Sequence, residues 1–92
     1  MSSQKRSKIE IIKDILLTIQ NNQNKIPPTK LMRFSNLSFQ MFQEYLDELE
    51  QKEFVKSIQT GPKRSVYSLT EKGQIFLSKY KEFNNFLCEF GF

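Results

Sequence analysis

The stretch "NLSFQMFQEYLDELEQKEFV" (Asn36–Val55) contains the clearest structural pattern in the chain. Asn36 tolerates left-handed backbone angles, Leu37 supplies the apolar residue of a tight turn, and Ser38 is a favoured helix N-cap. Apolar residues then recur every three or four positions, which predicts a helix from about Phe39 to Lys52 with one buried stripe. That stripe consists of Phe42, Tyr45, Leu46 and Leu49.

This predicted helix is acidic, although the chain as a whole is basic. The chain has 14 basic and 10 acidic residues and a net charge of +4. The quoted stretch holds five of the acids and only one base, Lys52, so it sums to −4 and the remainder to +8. The basic balance indicates a polyanionic partner. The acids cluster toward the C-terminal end of the helix: Asp47, Glu48, Glu50 and Glu53.

Two further helices are predicted before this stretch. Ser7 and Glu10 form a capping box that opens a helix from about Lys8 to Gln20. Its apolar stripe is Ile9, Ile12, Ile15, Leu16 and Ile19. The polar segment "NNQNKIPP" predicts a loop, with a short strand at Lys25 and Ile26, and Pro28 suits the first turn of a short helix to Phe34. This short helix, the tight turn and the helix from Phe39 make a helix-turn-helix.

After the stretch, the sequence predicts a β-hairpin and one long helix. "FVKSIQ" (residues 54–59) and "SVYSL" (residues 65–69) have strand composition, and "TGPKR" between them supplies a Gly-Pro turn. Thr70 caps a final helix that runs to about Glu89. The fold class is therefore mainly α with a small hairpin, in one domain over residues 1–92. We expect a flexible basic arm over 1–6, a body over 7–70 and a C-terminal helix over 71–92.

Composition excludes several classes of protein. The chain has one cysteine and no histidine, which excludes an internal disulfide, a zinc cluster and the commonest general acid–base residue. We expect a protein that is not an enzyme and has no cofactor, metal or evident small-molecule ligand. No signal peptide or membrane span is visible, so we expect a cytoplasmic protein. We also expect Cys88 to be a small buried side chain.

The chain resembles small archaeal winged-helix DNA-binding proteins, including dimeric chromatin-associated members with a long C-terminal helix. The resemblance rests on "SKIEIIKDIL" (Ser7–Leu16), "NLSFQMFQEYLDEL" (Asn36–Leu49) with the following "FV", and "YSLTEKGQIFL" (Tyr67–Leu77). It implies nucleoid-associated binding of double-stranded DNA, with the third helix in the major groove and the hairpin, or wing, on the backbone or minor groove. Relatives usually have glycine where this chain has Glu53, so we expect a left-handed backbone there.

The start of the third helix holds the candidate base contacts, because the first residues of a recognition helix reach base edges. They are Ser38, Phe39, Gln40, Gln43 and Glu44. Glutamine pairs with adenine through two hydrogen bonds, and an apolar ring contacts the thymine methyl. The candidate backbone contacts are cations, which need no base-edge geometry. They are Lys30 and Arg33, Lys63 and Arg64 at the wing tip, and Lys5 and Arg6 in the arm.

The last helix carries a seam of apolar residues spaced 3.5 residues apart on average, which favours a coiled-coil homodimer. The seam is Phe76, Tyr80, Phe83, Leu87 and Phe90, and the expected interface is Tyr80, Phe83, Phe86, Leu87 and Phe90. We expect Ile75, Phe76 and Leu77 to pack on the body instead.

Two functions stay open. The first is sequence-independent or moderately specific binding of double-stranded DNA by a transcriptional regulator or small chromatin protein. The second is a protein-interaction module that uses the acidic helix without binding DNA. The sequence gives no operator, target gene, sign of regulation, modulating partner or effector, and it does not choose between parallel and antiparallel pairing.

Overall fold

The computed structural model describes residues 7–91 and contains four helices and one two-stranded antiparallel sheet. The helices are α1 (Lys8–Asn21), α2 (Pro28–Ser35), α3 (Phe39–Gln51) and α4 (Glu71–Glu89). The strands β1 (Val55–Gly61) and β2 (Arg64–Leu69) lie between α3 and α4. The predicted order of elements, the hairpin and the long last helix are confirmed, with boundaries that differ by one or two residues.

Local sequence signals set the helix ends as predicted. The Ser7 side chain accepts a hydrogen bond from the Glu10 N–H, and the Glu10 carboxylate accepts from the Ser7 N–H, which completes the capping box. Asn36 ends α2 in the left-handed region at φ 62°, and the Ser38 hydroxyl accepts from the Met41 N–H at 3.2 Å. Glu53 also has a positive φ, 65°, so the predicted left-handed backbone after α3 is confirmed.

One apolar core joins α1, α2, α3, the hairpin and the start of α4. Ile15, Leu16 and Ile19 of α1 pack with residues from every other element: Ile26, Leu31, Phe42, Leu46, Leu49, Val55, Leu69 and Leu77. Ile26 bridges to Tyr67 through backbone hydrogen bonds of 3.1 and 2.8 Å, which confirms a short extended segment before α2. The Asn24 side chain accepts from the Leu69 N–H at 2.7 Å and so ties the α1–α2 loop to β2.

Three burial predictions are wrong. Ile9 was placed in the α1 stripe but is exposed, because the helix buries Ile11 instead. Ile75 is exposed as well, whereas Phe76 is half-buried and Leu77 is buried. Cys88 is exposed, since α4 has already passed beyond the body at that position. All three lie near the ends of helices or beyond the core, where periodicity alone does not say which face is covered.

Candidate nucleic-acid interface

The first half of α3 presents a polar face with one aromatic ring. At about 100° per residue, Phe39, Gln40, Gln43, Glu44 and Asp47 fall on one side of the helix. All five are exposed, while Phe42, Leu46 and Leu49 on the adjoining side of the helix are buried. We call these five residues the outward face of α3. The core stripe therefore fixes the rotation of the helix and determines which side chains point outward.

Ser38 has a different role from its neighbours among the predicted base contacts. It lies outside α3 as the N-cap, and its hydroxyl already accepts from Met41. Such a cap stabilises a helix by about 1 kcal/mol. It also fixes the direction in which the first helical turn of α3 leaves the loop that precedes it. Ser38 is thus positioned to hold Phe39 and Gln40 in place.

The acids of the quoted stretch divide into separate groups in the structure. Glu48 forms ion pairs with Lys8, at 2.9 Å, and with Lys52, at 3.0 Å. Hydrogen bonds from Lys8 and then Lys52 lower the pKa of the Glu48 carboxyl below its usual value. The charge of Glu48 is therefore paired within the protein, by one lysine at the start of α1 and one at the end of α3.

Glu50 follows Asp47 by about one turn on α3 and is half-buried beside the start of β1. Partial burial, and then the charge of Asp47, raise the pKa of the Glu50 carboxyl. Burial, and then the charges of Glu50 and Asp47, raise the pKa of the Tyr67 hydroxyl on β2. Glu53 lies beyond the helix, so Glu44 and Asp47 are the acids that remain on the outward face. Neither forms an ion pair with any residue in the described range 7–91.

The predicted backbone contacts lie on α2 and at the wing tip, and their side chains are exposed. Lys30 and Arg33 are one turn apart on α2, and the Lys30 Nζ lies 5.9 Å from the centre of the Phe34 ring. Lys63 is in the hairpin turn with φ 59°, and Arg64 begins β2. Lys5 and Arg6 lie outside the residues that the structure describes.

The fold brings the wing tip close to the start of α2. Lys63 and Arg64 line the same surface depression, of about 540 Å³, as Pro28 and Thr29. Thr29, Thr60 and Ser65 also line this depression. No local sequence pattern marks these three residues, because they come together only when the hairpin folds back beside α2.

The far end of α4 is apolar and uncovered within the described chain. Phe83, Phe86 and Phe90, which we call the aromatic end of α4, are 59%, 54% and 64% exposed. The Phe86 and Phe90 rings are 4.9 Å apart. Two other residues of the predicted interface are less exposed: Leu87 is half-buried, and Tyr80 stacks on Phe76 and lies beneath the Lys13 ammonium.

Metal-binding clusters and membrane-spanning helices are both absent from the described range. Residues 7–91 contain no group of three or more His, Cys, Asp or Glu side chains arranged to hold a metal ion. None of the helices in that range combines the length and the apolar character that a bilayer crossing requires.

A tight helix-turn-helix followed by a hairpin and a closing helix defines the winged-helix class of proteins. The model of the winged helix-turn-helix family matches residues 5–87, and the chain belongs to that family. The resemblance drawn from the sequence is thereby confirmed.

A curated relative is similar to this chain over most of its length. An uncharacterized protein of Methanocaldococcus jannaschii is 37% identical over 82 residues, which are 89% of this chain and 36% of that protein. The chain thus spans about a third of the length of the curated relative it matches.

Solved structures show the same fold. The DNA-binding protein Sso10a-2 of Sulfolobus solfataricus superposes with a TM-score of 0.73 at 26% identity, covering 92% of this chain and 85% of that one. ZitR of Lactococcus lactis, in complex with DNA, superposes with a TM-score of 0.57 at 20% identity, covering 92% of this chain and 66% of that one.

Proposed function

We propose that this protein binds double-stranded DNA as a transcriptional regulator or small chromatin protein. The observation that carries the proposal is the outward face of α3, which is exposed at the helix start in a fold whose α2 and wing tip carry exposed cations. Those cations are Lys30 and Arg33 on α2 and Lys63 and Arg64 on the wing. A helix of this kind fits the major groove, and cations beside it can neutralise the two phosphate backbones. The DNA-binding relative Sso10a-2 supports the proposal.

We assign separate roles to the two sets of residues. Phe39, Gln40, Gln43 and Glu44 face the base edges, with Ser38 holding the helix start in place. Lys30, Arg33, Lys63 and Arg64 contact phosphates, and the wing tip reaches the backbone or the minor groove. Lys5 and Arg6, which lie outside the described residues, would add further phosphate contacts. Because phosphate contacts carry no sequence information, specificity depends on the first set.

We further propose a homodimer joined through α4, with residues 7–70 as the DNA-binding body and 71–92 as the dimerisation segment. The 19 residues of α4 span roughly 28 Å at 1.5 Å per residue. Their far end carries three aromatic side chains that are each more than half exposed. Apolar patches of this kind on small proteins mark interaction surfaces, and a symmetric pair of helices would bury each patch against its copy. We propose that the protein is cytoplasmic and associated with the nucleoid.

A second function deserves a test because Glu44 and Asp47 are exposed on the outward face of α3 without an ion-pair partner in the described residues. Two unpaired carboxylates would favour a basic protein surface over phosphate. In that case the winged helix would be a protein-interaction module, and it would show no affinity for duplex DNA.

Titration of a fluorescently labelled random duplex, and of the upstream region of the protein's own gene, separates the two functions. The titration is carried out at two salt concentrations. If the protein binds DNA, the dissociation constant should rise steeply with salt, since each phosphate contact adds about 0.9 to the slope of log K against log salt. Absence of binding even at low salt would contradict the proposed function and favour the interaction module.

A further inference from the structure

The outward face of α3 lacks any cation, although its surroundings are basic. The side chains that begin it are a phenyl ring and two primary amides, Phe39, Gln40 and Gln43. We propose that this face selects A·T-rich sites in the major groove, with Gln40 and Gln43 on adenines and Phe39 on thymine methyl groups. The inference rests on the proposed function and adds to it the class of sequence that is bound.

The absence of arginine and lysine from this face argues against guanine. Guanine presents two acceptors, O6 and N7, in the major groove, and its commonest partner is the double donor of arginine or lysine. Adenine presents one acceptor and one donor, N7 and the N6 amine. A glutamine amide carries one donor and one acceptor, so it matches adenine with two hydrogen bonds. Gln40 and Gln43 therefore favour the A·T pair.

The exposure of Phe39 supports the same assignment. Its side chain is 65% exposed, the largest fraction among the exposed apolar residues of the described chain. Phe42, three residues on, is 2% exposed and anchors the same turn of α3 in the core, so the fold does not need Phe39. The thymine methyl is the apolar group that base pairs present in the major groove, and contact with it would remove both from water.

Glu44 does not decide between the two base pairs. A carboxylate accepts from the amine of cytosine or of adenine, and both amines lie in the major groove. We therefore assign the selectivity to Phe39, Gln40 and Gln43 alone.

The wing could also produce a preference for A·T-rich DNA, and the experiment must distinguish this from selection by α3. A-tracts have a narrow minor groove with enhanced negative potential, which attracts inserted arginine or lysine. Lys63 and Arg64 at the wing tip are exposed and have that chemistry. A preference that arises there would depend on the minor groove and would be indifferent to the thymine methyl.

Four duplexes of equal length and identical flanks separate these sources in competition titrations at one salt concentration. Their central blocks are A·T-rich, G·C-rich, A·T-rich with uracil in place of thymine, and inosine·cytosine in place of G·C. Uracil lacks the methyl group. Inosine lacks the guanine N2 amine, so its pair with cytosine presents the G·C pattern in the major groove and the A·T pattern in the minor groove.

We expect the A·T duplex to bind about tenfold or more tightly than the G·C duplex. The inosine duplex should bind like the G·C duplex, and uracil should weaken binding by about fourfold per contacted methyl. Phe39→Ala should abolish the difference between thymine and uracil, and Gln40→Ala/Gln43→Ala should reduce the preference for A·T. Gln51→Ala, on an exposed residue at the other end of α3, should change neither.

Equal affinity for the A·T and G·C duplexes would overturn the inference and leave DNA binding intact. So would an inosine duplex that binds like the A·T duplex, or equal affinity for thymine and uracil. Failure of all four duplexes to bind would overturn the proposed function itself. If Phe39→Ala does not fold, as judged by circular dichroism, the wild-type comparisons with uracil and inosine still decide the question.

Discussion

The Nζ atom of Lys8 lies 2.9 Å from a carboxylate oxygen of Glu48, which joins the start of α1 to the last turns of α3. Lys52, one turn further along α3, approaches the same oxygen at 3.0 Å. The negative charge of Glu48 on α3 is thus paired with two lysines of the protein itself. This arrangement explains part of the acidity of α3 without any role in binding.

Glu48 and Glu50 should affect stability with opposite signs. The lowered pKa of Glu48 means that its carboxylate stabilises the fold above its ordinary pKa of 4.5, and that this contribution is lost as the pH falls through the lowered value. The raised pKa of Glu50 means that its charge opposes folding at neutral pH, and that protonation relieves this as the pH falls toward 4.5.

Glu50→Gln should therefore raise the free energy of unfolding at neutral pH, by no more than about 0.5 kcal/mol because the site is partly solvated. Glu48→Gln should lower it. The change in the free energy of unfolding that each substitution causes should be smaller in acid. Urea denaturation of wild type and both variants, at neutral pH and near pH 4, measures these changes. A stabilising Glu48→Gln would show that the ion pairs with Lys8 and Lys52 contribute nothing.

Substitution of Gly73 is a second test of the fold, because a side chain at this position would meet the main chain of Phe54. A Cβ atom on Gly73 would collide with the carbonyl oxygen of Phe54. Glycine to alanine inside a helix otherwise stabilises by roughly 0.5–1 kcal/mol. We expect Gly73→Ala to destabilise by about 1–3 kcal/mol instead. Gly61→Ala, with open space around its Cβ, is the control in thermal denaturation. A stabilising Gly73→Ala would contradict the packing of α4 against Phe54.

Removal of the wing charges should weaken binding to every duplex alike. Lys63 has a positive φ of 59°, so asparagine, which tolerates that conformation, is a better replacement than alanine. Lys63→Asn/Arg64→Gln should lower the slope of log K against log salt by about 2. Lys79→Ala/Lys81→Ala removes two exposed charges from α4 and should leave the slope largely unchanged. A slope unaffected by the wing substitutions would exclude the wing from the interface.

Glu44 should limit non-specific attachment, because its carboxylate stands on the outward face without an ion-pair partner in residues 7–91. Glu44→Lys should raise affinity for random duplex and reduce any sequence preference, since it converts phosphate repulsion into attraction. Glu82→Lys makes the same charge change on α4 and controls for the total charge. If the two variants bind random DNA equally, the start of α3 does not approach phosphate.

Dimerisation should depend on the aromatic end of α4. Phe83→Glu/Phe86→Glu places charges on the exposed face and should yield a monomer, whereas the wild-type chain should be a dimer at micromolar concentration. Ser78→Glu/Asn85→Glu adds the same charge and is the control, because both residues are exposed and, at about 100° per residue, lie on the side of α4 away from Phe83. Sedimentation equilibrium measures all three. A monomeric wild-type chain, or a double variant that still dimerises, would contradict the proposed interface.

Local sequence signals predicted the elements well, because the caps and turns at Ser7, Asn36 and Ser38 depend on chemistry within a few residues. The stripe on α3 also predicted its outward face. Periodicity did not reveal which parts of long helices are covered, so the burial of Ile75 and Cys88 was misjudged. Nor did it reveal that Glu50 turns toward Tyr67 or that Thr29 lies beside the wing tip, since these contacts form only in the tertiary fold.

The proposed interface consists of the start of α3 and the wing. Amide chemical shifts of the isotope-labelled protein, followed by NMR during titration with an unlabelled duplex, show directly where DNA binds. We expect the largest changes in residues 38–44 and 63–65, with smaller changes around Lys30 and Arg33. Changes confined to α4, or no changes at low salt, would contradict the proposed interface.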